Sequence, residues 1–252
     1  MDYTKYKDRL PMPRYVFFNP FSILMVIILI AALILLIPLL LLGIVGGALT
    51  NLGFSWLQAI GLLLLILVGS LVNIPVTEIR ERASDPVERP AGHQFAPSLY
   101  DGMYKVQPPA QVTNVALNLG GAVIPAVISV YLLLHALIGM GDTRLFLLAC
   151  VGALAVTIIV NRYARLIPGV GVGAPFYLPP LAAVVCGILL AGGFGLNAAI
   201  IAYVSGTIGT LVGADLLNLR KIGSLGAPIV SIGGAGTFGG IFLSGIIAAF
   251  LA

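Results

Sequence analysis

Charged side chains are what this sequence has least of. Only 9% of its 252 residues are Asp, Glu, Lys or Arg, and 60% are apolar. A soluble domain contains about a quarter charged residues, because it must cover its core with a surface that water solvates. This chain cannot form such a surface, so its main solvent is lipid. A water-soluble enzyme is therefore excluded.

Cysteine is also scarce, and the motifs of cofactor sites are missing. Two cysteines cannot make a disulfide scaffold. No His, Cys, Asp and Glu residues have the spacing of a metal site, and the glycine-rich runs lack the neighbouring lysine of a phosphate-binding loop. The 13 basic residues flank apolar runs without the clustering of a nucleic-acid-binding patch. We predict no cofactor, no metal and no nucleic-acid partner.

Long apolar runs are what the sequence does contain. A helix that crosses about 30 Å of hydrocarbon needs about 20 residues, because each residue rises about 1.5 Å. Seven stretches come close to that length: 21–46, 56–76, 112–138, 145–160, 175–192, 196–217 and 228–251. They predict an all-α membrane protein, a bundle of about seven transmembrane helices with some broken by Gly and Pro. Residues 1–20 would form a cytoplasmic N-terminal segment, and residues 21–252 a single transmembrane domain.

The positions of Lys and Arg predict the orientation of this bundle. Basic residues in short loops stay on the cytoplasmic side of a membrane. With seven spans, twelve of the 13 basic residues fall on one side and only Arg144 falls on the other. The N-terminus is then cytoplasmic and the C-terminus is outside, with the lipid bilayer as the main partner.

Residues 77–111 form the longest predicted cytoplasmic loop. The charged start of this loop, TEIRERASD, can continue the second helix, which Pro86 and Pro90 then break. A segment of this length cannot bury a core of its own. Two interpretations stay open: a solvated connector, which we favour, and a docking surface for a soluble partner.

Asp215 is the main candidate for a functional side chain, because ionisable groups within apolar spans are costly. It lies in the sequence GADLLN near the inner end of the sixth span, where Thr210 and Asn218 are further candidates for binding a substrate or an ion. One interpretation is a carboxylate that binds a proton or a cation or takes part in catalysis. The other is an ion pair with a basic residue on the same side of the membrane: Arg162, Arg165, Arg220 or Lys221.

A Gly-Met-Gly-Asp sequence at 139–142 resembles the Gly-x-Gly-Asp signature of presenilin-like intramembrane aspartyl proteases and prepilin peptidases. Such enzymes need two carboxylates that share a proton. The predicted topology places Asp142 on the outer side, about 20 Å or more from Asp215. We therefore favour a glycine turn as the explanation of this motif, and a headgroup contact for the nearby His135.

Glycine is dense within the last span. Six of the eight residues 233–240 are glycine, and each costs a helix about 1 kcal/mol relative to alanine. They predict a broken helix whose backbone, with Gly236, Thr237 and Gly239, lines a binding site. Close packing of helices through their glycine faces is the alternative.

Two asparagines also lie near the inner ends of predicted spans. Asn73 ends the second span and Asn118 begins the third, at the predicted depth of Asn161 and Asp215. Side chains at one depth can line a shared vestibule that opens to the cytoplasm. We therefore predict that Asn73 and Asn118 take part in binding a small solute, a proton or a cation.

Five motifs carry a resemblance to a known family. They are GSLVNIP at 69–75, NLGGAVIP at 118–125, PGVG at 168–171, GADLLN at 213–218 and GGAGTF at 233–238. Together they resemble a family of bacterial and archaeal membrane proteins known as domain of unknown function 1614. The likeness covers about residues 56–252 and implies a prokaryotic cytoplasmic membrane, but no activity. It also implies an acid where this chain has Gly239, so a second carboxylate is absent here.

Three hypotheses for the function follow. The first is a carrier or channel-like protein for a small solute or ion, which uses Asp215 and the glycine break at 233–240. The second is a degenerate relative of intramembrane aspartyl proteases that lacks the second carboxylate at Gly239. The third is a membrane scaffold that binds a partner through the loop 77–111. We favour the first, which is not an enzyme, and the sequence predicts no oligomeric state.

Overall fold

A computed structural model of the protein describes residues 20–81, 111–167, 171–222, 229–234 and 240–252. The chain divides into two compact units, one up to Leu42 and one from Gly43 to Ala252. The N-terminal segment 1–19, most of the predicted loop 77–111 and residues 235–239 lie outside the described residues. Every contact reported below lies within the second unit.

Apolar helices make up most of the described chain. In chain order they are α1 Pro20–Asn51, α2 Trp56–Gly69, α3 Ile124–Leu134, α4 Thr143–Tyr163, α5 Leu178–Ala191, α6 Leu196–Thr210, α7 Leu219–Ile222 and α8 Gly240–Leu251. Wider π-helical turns flank α3 at Leu119–Val123 and His135–Gly139. A third π turn, Leu211–Asp215, continues α6 and is followed by a 3₁₀ turn at Leu216–Asn218.

Four helical stretches within the described residues are long and apolar enough to cross a membrane. They are Met25–Asn51, Leu119–Gly139, Thr143–Tyr163 and Leu196–Asn218. The apolar helices α2, α5 and α8 are shorter, with 10–17 residues each. These helices agree with the predicted membrane protein. Three of the seven predicted spans, 56–76, 175–192 and 228–251, are therefore not among the four long helical stretches.

The prediction of an all-α fold is confirmed only in part, because the described chain is mostly helical but also contains β-strands. β1 (Asn73–Glu81), β2 (Gln111–Asn118) and β5 (Ile229–Ile232) form a sheet in the order β1-β2-β5. β1 pairs antiparallel with β2, so that Asn73 lies opposite Asn118, and β2 pairs parallel with β5. A smaller antiparallel pair joins β3 (Arg165–Ile167) to β4 (Gly171–Gly173).

The strands of the larger sheet replace the ends of predicted helical spans. An apolar run does not by itself distinguish a helix from a buried strand, and these segments are rich in Val, Ile and Thr, which favour strands. In β2, Thr113 and Val115 are buried whereas Asn114 between them is exposed, as expected for a strand. The prediction that TEIRERASD continues the second helix was also wrong, because this sequence is strand as far as Glu81.

Helix α6 lies at the centre of the second unit. It packs against α3, α4, α5 and α8, and each of its residues from Ala198 to Thr207 is buried. Small residues permit these contacts, since a Cβ atom on Gly206 would lie only 2.8 Å from the backbone oxygen of Ser244 on α8. The polar side chains of α6 are therefore surrounded by protein and not by lipid.

The contact of Gly206 with α8 gives a first prediction. Gly206→Ala should lower the stability by about 1–3 kcal/mol, because the added methyl group meets backbone atoms that cannot rotate away. Gly61→Ala on α2 is the matched control, since a Cβ there has nothing within 4 Å. That variant should be as stable as the wild type or more stable. Thermal unfolding of the purified proteins in detergent measures both, and equal melting temperatures would contradict the packing described.

Candidate functional site

The side chain of Asn118 joins three segments at the end of β2. It is 3% exposed, and its oxygen accepts a hydrogen bond from the Gly121 amide at 2.7 Å, which caps the π turn before α3. Its amide nitrogen donates to the Ser70 carbonyl at 2.7 Å and to Asn73 Oδ1 at 3.1 Å. One amide thus connects the end of α2, the start of β1 and the start of the third predicted span.

Strand β5 is joined to the same network through Asn73. Ser231 Oγ donates to Asn73 Oδ1 at 2.6 Å, so this oxygen accepts two hydrogen bonds. Sequence reasoning missed Ser231 because a single serine in a glycine-rich run carries no pattern. We call the group Ser70, Asn73, Asn118 and Ser231 the asparagine cluster.

The chain turns sharply where β5 ends beside the asparagine cluster. Gly233 has a φ of 73°, which favours glycine. A Cβ atom on Gly121 would collide with the Gly233 carbonyl oxygen, and one on Gly234 would collide with Ser231 Oγ. Residues 229–234 are therefore a strand and a turn, and α8 is described from Gly240 to Leu251. The candidates Gly236, Thr237 and Gly239 lie outside the described residues.

A cavity of about 200 Å³ adjoins the asparagine cluster. Its polar lining comes from Ser70, Asn73, Asn118 and the backbone of four glycines, and its apolar lining from three side chains. The glycines are Gly120, Gly121, Gly233 and Gly234, and the apolar residues are Ile66, Leu71 and Phe242. None of these lining residues is charged. An engineered apolar cavity of about 150 Å³ holds benzene, so this one has room for a small organic molecule or several waters.

Asn218 organises a second polar group at the inner end of α6. It is 5% exposed, and its nitrogen donates to Ala214 O at 3.0 Å and to Asn161 Oδ1 at 3.2 Å. Its oxygen accepts from Lys221 Nζ at 3.2 Å. Asn218 therefore connects the end of α6 to α4 and α7, and its own groups are largely engaged in structure.

Asp215 lies beside Asn218 and is partly buried. Among the described residues, no hydrogen bond or ion pair reaches its side chain, and Lys221 bonds to Asn218 instead. The predicted ion pair is thus not formed with Lys221, Arg162 or Arg165, and the side chain of Arg220 lies outside the described residues. The carboxylate is left to interact with water, a proton or a bound cation.

Thr210 bonds to α8 and not to Asp215. It is 5% exposed, and its hydroxyl lies 3.0 Å from Ser244 Oγ. Ser244 Oγ also lies 2.8 Å from the Gly206 carbonyl, to which it can donate. Thr210 and Ser244 therefore form a buried hydroxyl pair between α6 and α8.

Asp142 has a structural role at the opposite end of α4 from Asn161. Gly141 has a φ of 65°, and Asp142 Oδ1 caps α4 by accepting from the Leu145 amide at 2.9 Å. His135 stacks on Tyr131 with 5.8 Å between the ring centroids. The Gly-Met-Gly-Asp sequence is accordingly a glycine turn and a helix cap. In the described part of the chain no three His, Cys, Asp or Glu residues group to hold a metal ion.

Comparison with known proteins identifies a family but no activity. A family model for proteins of unknown function (DUF1614) matches residues 67–251, which is more than half of the chain. This match confirms the resemblance that the five motifs carry. No curated protein and no solved structure matches the chain.

The asparagine cluster gives a second prediction. Asn118→Leu should lower the stability by about 2–6 kcal/mol, because the Ser70 carbonyl and the Gly121 amide each lose a partner at about 1–3 kcal/mol. Asn114→Leu, on the exposed face of the same strand, should change it by about 0.5 kcal/mol or less. Thermal unfolding in detergent measures the difference. A loss of equal size in both variants would show that the cluster does not hold these segments together.

Proposed function

This chain belongs to the DUF1614 family of proteins of unknown function, and we propose that it is a membrane carrier or channel-like protein for a small solute or ion. The observation that carries this proposal is the polar cavity beside Asn73, Asn118 and the Gly233–Gly234 turn. A polar cavity among apolar helices offers a small molecule hydrogen bonds that lipid does not.

The backbone around the cavity favours transport. Irregular backbone near apolar helices is stable where it is buried in protein or faces a water-filled space. Here β5 and the turn at Gly233 replace the first part of the predicted seventh span. Discontinuous segments of this kind surround the solute sites of many transporters, because their backbone groups are available to the solute.

Asp215, which does not line the cavity, is the candidate for the charged site of the carrier. A carboxylate inside a membrane protein is costly unless it binds a proton, a cation or a basic side chain. Since no described basic residue bonds to it, binding of a proton or cation is the interpretation we favour. The uncharged asparagine cluster would then contact the solute, and Asp215 would bind the ion.

The described acids support the protease hypothesis less well. Asp142 caps the first turn of α4, whereas Asn161, near the last turn of this 21-residue helix, bonds to Asn218 beside Asp215. The two carboxylates therefore lie about 30 Å apart along α4, too far to share a proton. Gly239, where the family pattern implies an acid, carries no carboxylate in this chain. The scaffold hypothesis concerns the loop 77–111, most of which lies outside the described residues.

We further propose that the protein lies in a prokaryotic cytoplasmic membrane with its N-terminus and its basic loops inside. Alkaline phosphatase fused after Ala252 should then be active, because it folds only outside the cytoplasm. Green fluorescent protein fused there should be dark, because it folds only inside. Fusions after Pro90 should give the reverse pattern, since this position follows the basic segment predicted to be inside. The same pattern at both positions would overturn this orientation.

A third experiment tests the role of Asp215. The full-length protein is reconstituted into vesicles, and the uptake of glycerol, urea, Na⁺, Rb⁺ and protons is measured for the wild type and for Asp215→Asn. The wild type should move at least one of these probes, and Asp215→Asn should move it about tenfold more slowly, because the neutral amide cannot hold a proton or cation.

Asp142→Asn is the matched control for that experiment. It removes the other acid of the apolar helices but keeps the cap of α4, since Asn caps a helix about as well as Asp. This variant should transport as the wild type does. If Asp215→Asn moves every probe at the wild-type rate, the assignment of Asp215 as the charged site is wrong.

A further inference from the structure

Three hydroxyl groups are buried in α6 without a well-formed hydrogen bond. Tyr203, Ser205 and Thr207 are each 0% exposed, and none of their oxygens makes a hydrogen bond of good geometry within the described chain, although the hydroxyls of Tyr203 and Thr207 lie close to each other. A buried hydroxyl without a partner costs about 1–3 kcal/mol. Three of them in one turn and a half of helix call for a function or for internal water.

Two of these residues face α8, and the third faces α4. A Cβ atom on Gly245 of α8 would collide with Thr207 Oγ1 and lie 3.2 Å from the ring of Tyr203. A Cβ atom on Gly152 of α4 would collide instead with Ser205 Oγ. Tyr203 and Thr207 therefore share the interface of α6 with α8, and Ser205 lies on a different side of the helix.

The α8 face of α6 remains polar toward the inner end. Tyr203, Thr207 and Thr210 have the spacing i, i+4, i+7, which places them on one face. Thr210 and Ser244 then form their hydroxyl pair at 3.0 Å. In an α-helix, five further residues would turn Asp215 about 140° away from Thr210. The π turn Leu211–Asp215 accommodates an extra residue and so brings Asp215 back toward this face.

The same interface reaches a polar side chain at its other end. The exposed Asn51, at the end of α1, donates its amide to the Ala249 carbonyl of α8 at 3.2 Å. Ala249 is four residues from Gly245, or about 6 Å along the helix. The N-terminus of α6 lies at this same end of α8, since the Gly195 amide bonds to the Ala252 carbonyl.

We infer that the interface of α6 and α8 is a proton path that runs from Asp215 through the Thr210–Ser244 pair, Thr207 and Tyr203 toward Asn51. This inference rests on the proposed function and names the proton as the ion that Asp215 binds. Glycine contacts make the interface too narrow for a solute or a hydrated metal ion. A proton needs only hydroxyls, with single waters between them.

Each transfer along the path conserves protons. A hydroxyl oxygen accepts a proton from the neighbour on one side while its own O–H bond breaks and that proton passes to the neighbour on the other side. No hydroxyl is ionised at the end, and the net charge moves to or from the Asp215 carboxylate. The described charged groups at this end are Arg162, Arg165 and Lys221, and none of them forms an ion pair with Asp215.

The test measures proton flux through the full-length protein. It is reconstituted into vesicles of phosphatidylethanolamine and phosphatidylglycerol that contain a pH-sensitive dye, and a potassium gradient with valinomycin drives proton uptake. The wild type should acidify the vesicles well above the rate of protein-free vesicles. Thr207→Val and Tyr203→Phe should each reduce that rate about tenfold, because each leaves a gap in the chain of hydroxyls. Thr207→Ser, which keeps the hydroxyl, should restore it.

Ser205→Ala provides the matched control. Ser205 is as buried as Thr207 but faces α4, so its loss should leave the proton rate unchanged. Melting temperatures in detergent establish that each variant is folded. If Thr207→Val and Tyr203→Phe both conduct protons at the wild-type rate, these hydroxyls contribute only to packing and the inference is wrong. A wild type that conducts no protons would overturn the inference as well.

The two proposals can fail separately. If the protein conducts no protons but its uptake of a solute or Rb⁺ still depends on Asp215, the proton path is wrong and the proposed carrier stands. The opposite result is a protein whose proton flux depends on Thr207 but which moves neither glycerol, urea, Na⁺ nor Rb⁺. That result would support the proton path and contradict the proposed solute carrier.

Discussion

The amide of Asn118 holds together the part of the molecule on which the proposed site depends. Apolar helices have no hydrophobic preference for each other over lipid, so their arrangement follows from close packing and hydrogen bonds. Asn118 lies where β2 becomes a π turn, and its three hydrogen bonds fix Ser70, Asn73 and Gly121 around it. Because these partners come from separate segments, the cavity wall is set by one side chain and by the glycines that let its neighbours approach.

Glycine has two different tasks in this fold. At Gly121 and Gly233 it lets two backbone segments touch beside the cavity, where a methyl group would collide with a carbonyl oxygen. At Gly152, Gly206 and Gly245 it lets α4, α6 and α8 approach until hydroxyl groups meet the facing backbone. The second task encloses the polar face of α6 inside protein, where a hydroxyl without a hydrogen-bond partner costs more free energy than at a surface that water reaches.

The sequence predicted the helices well where the length of an apolar run is enough to identify a helix. The predicted spans 145–160 and 196–217 correspond closely to Thr143–Tyr163 and Leu196–Asn218. It failed at β1, β2 and β5, since short apolar segments rich in β-branched residues resemble the ends of spans. The β-branched residues Val76, Thr77 and Ile79 were the available signal. Asn73 and Asn118 were placed at one depth and do meet at 3.1 Å, but Ser231 required the register of β5.

Helix α8 is where the solute site and the proton path of the proposed carrier come together. Phe242 lines the cavity, and Ser244, two residues later, belongs to the hydroxyl pair with Thr210. A shift of α8 that follows occupation of the cavity would therefore move Ser244 relative to α6 and break or remake that pair. Coupling of two sites requires one element whose position both sites change. Close glycine contacts favour discrete positions of α8 over a gradual slide, because a close-packed interface has few arrangements of low energy.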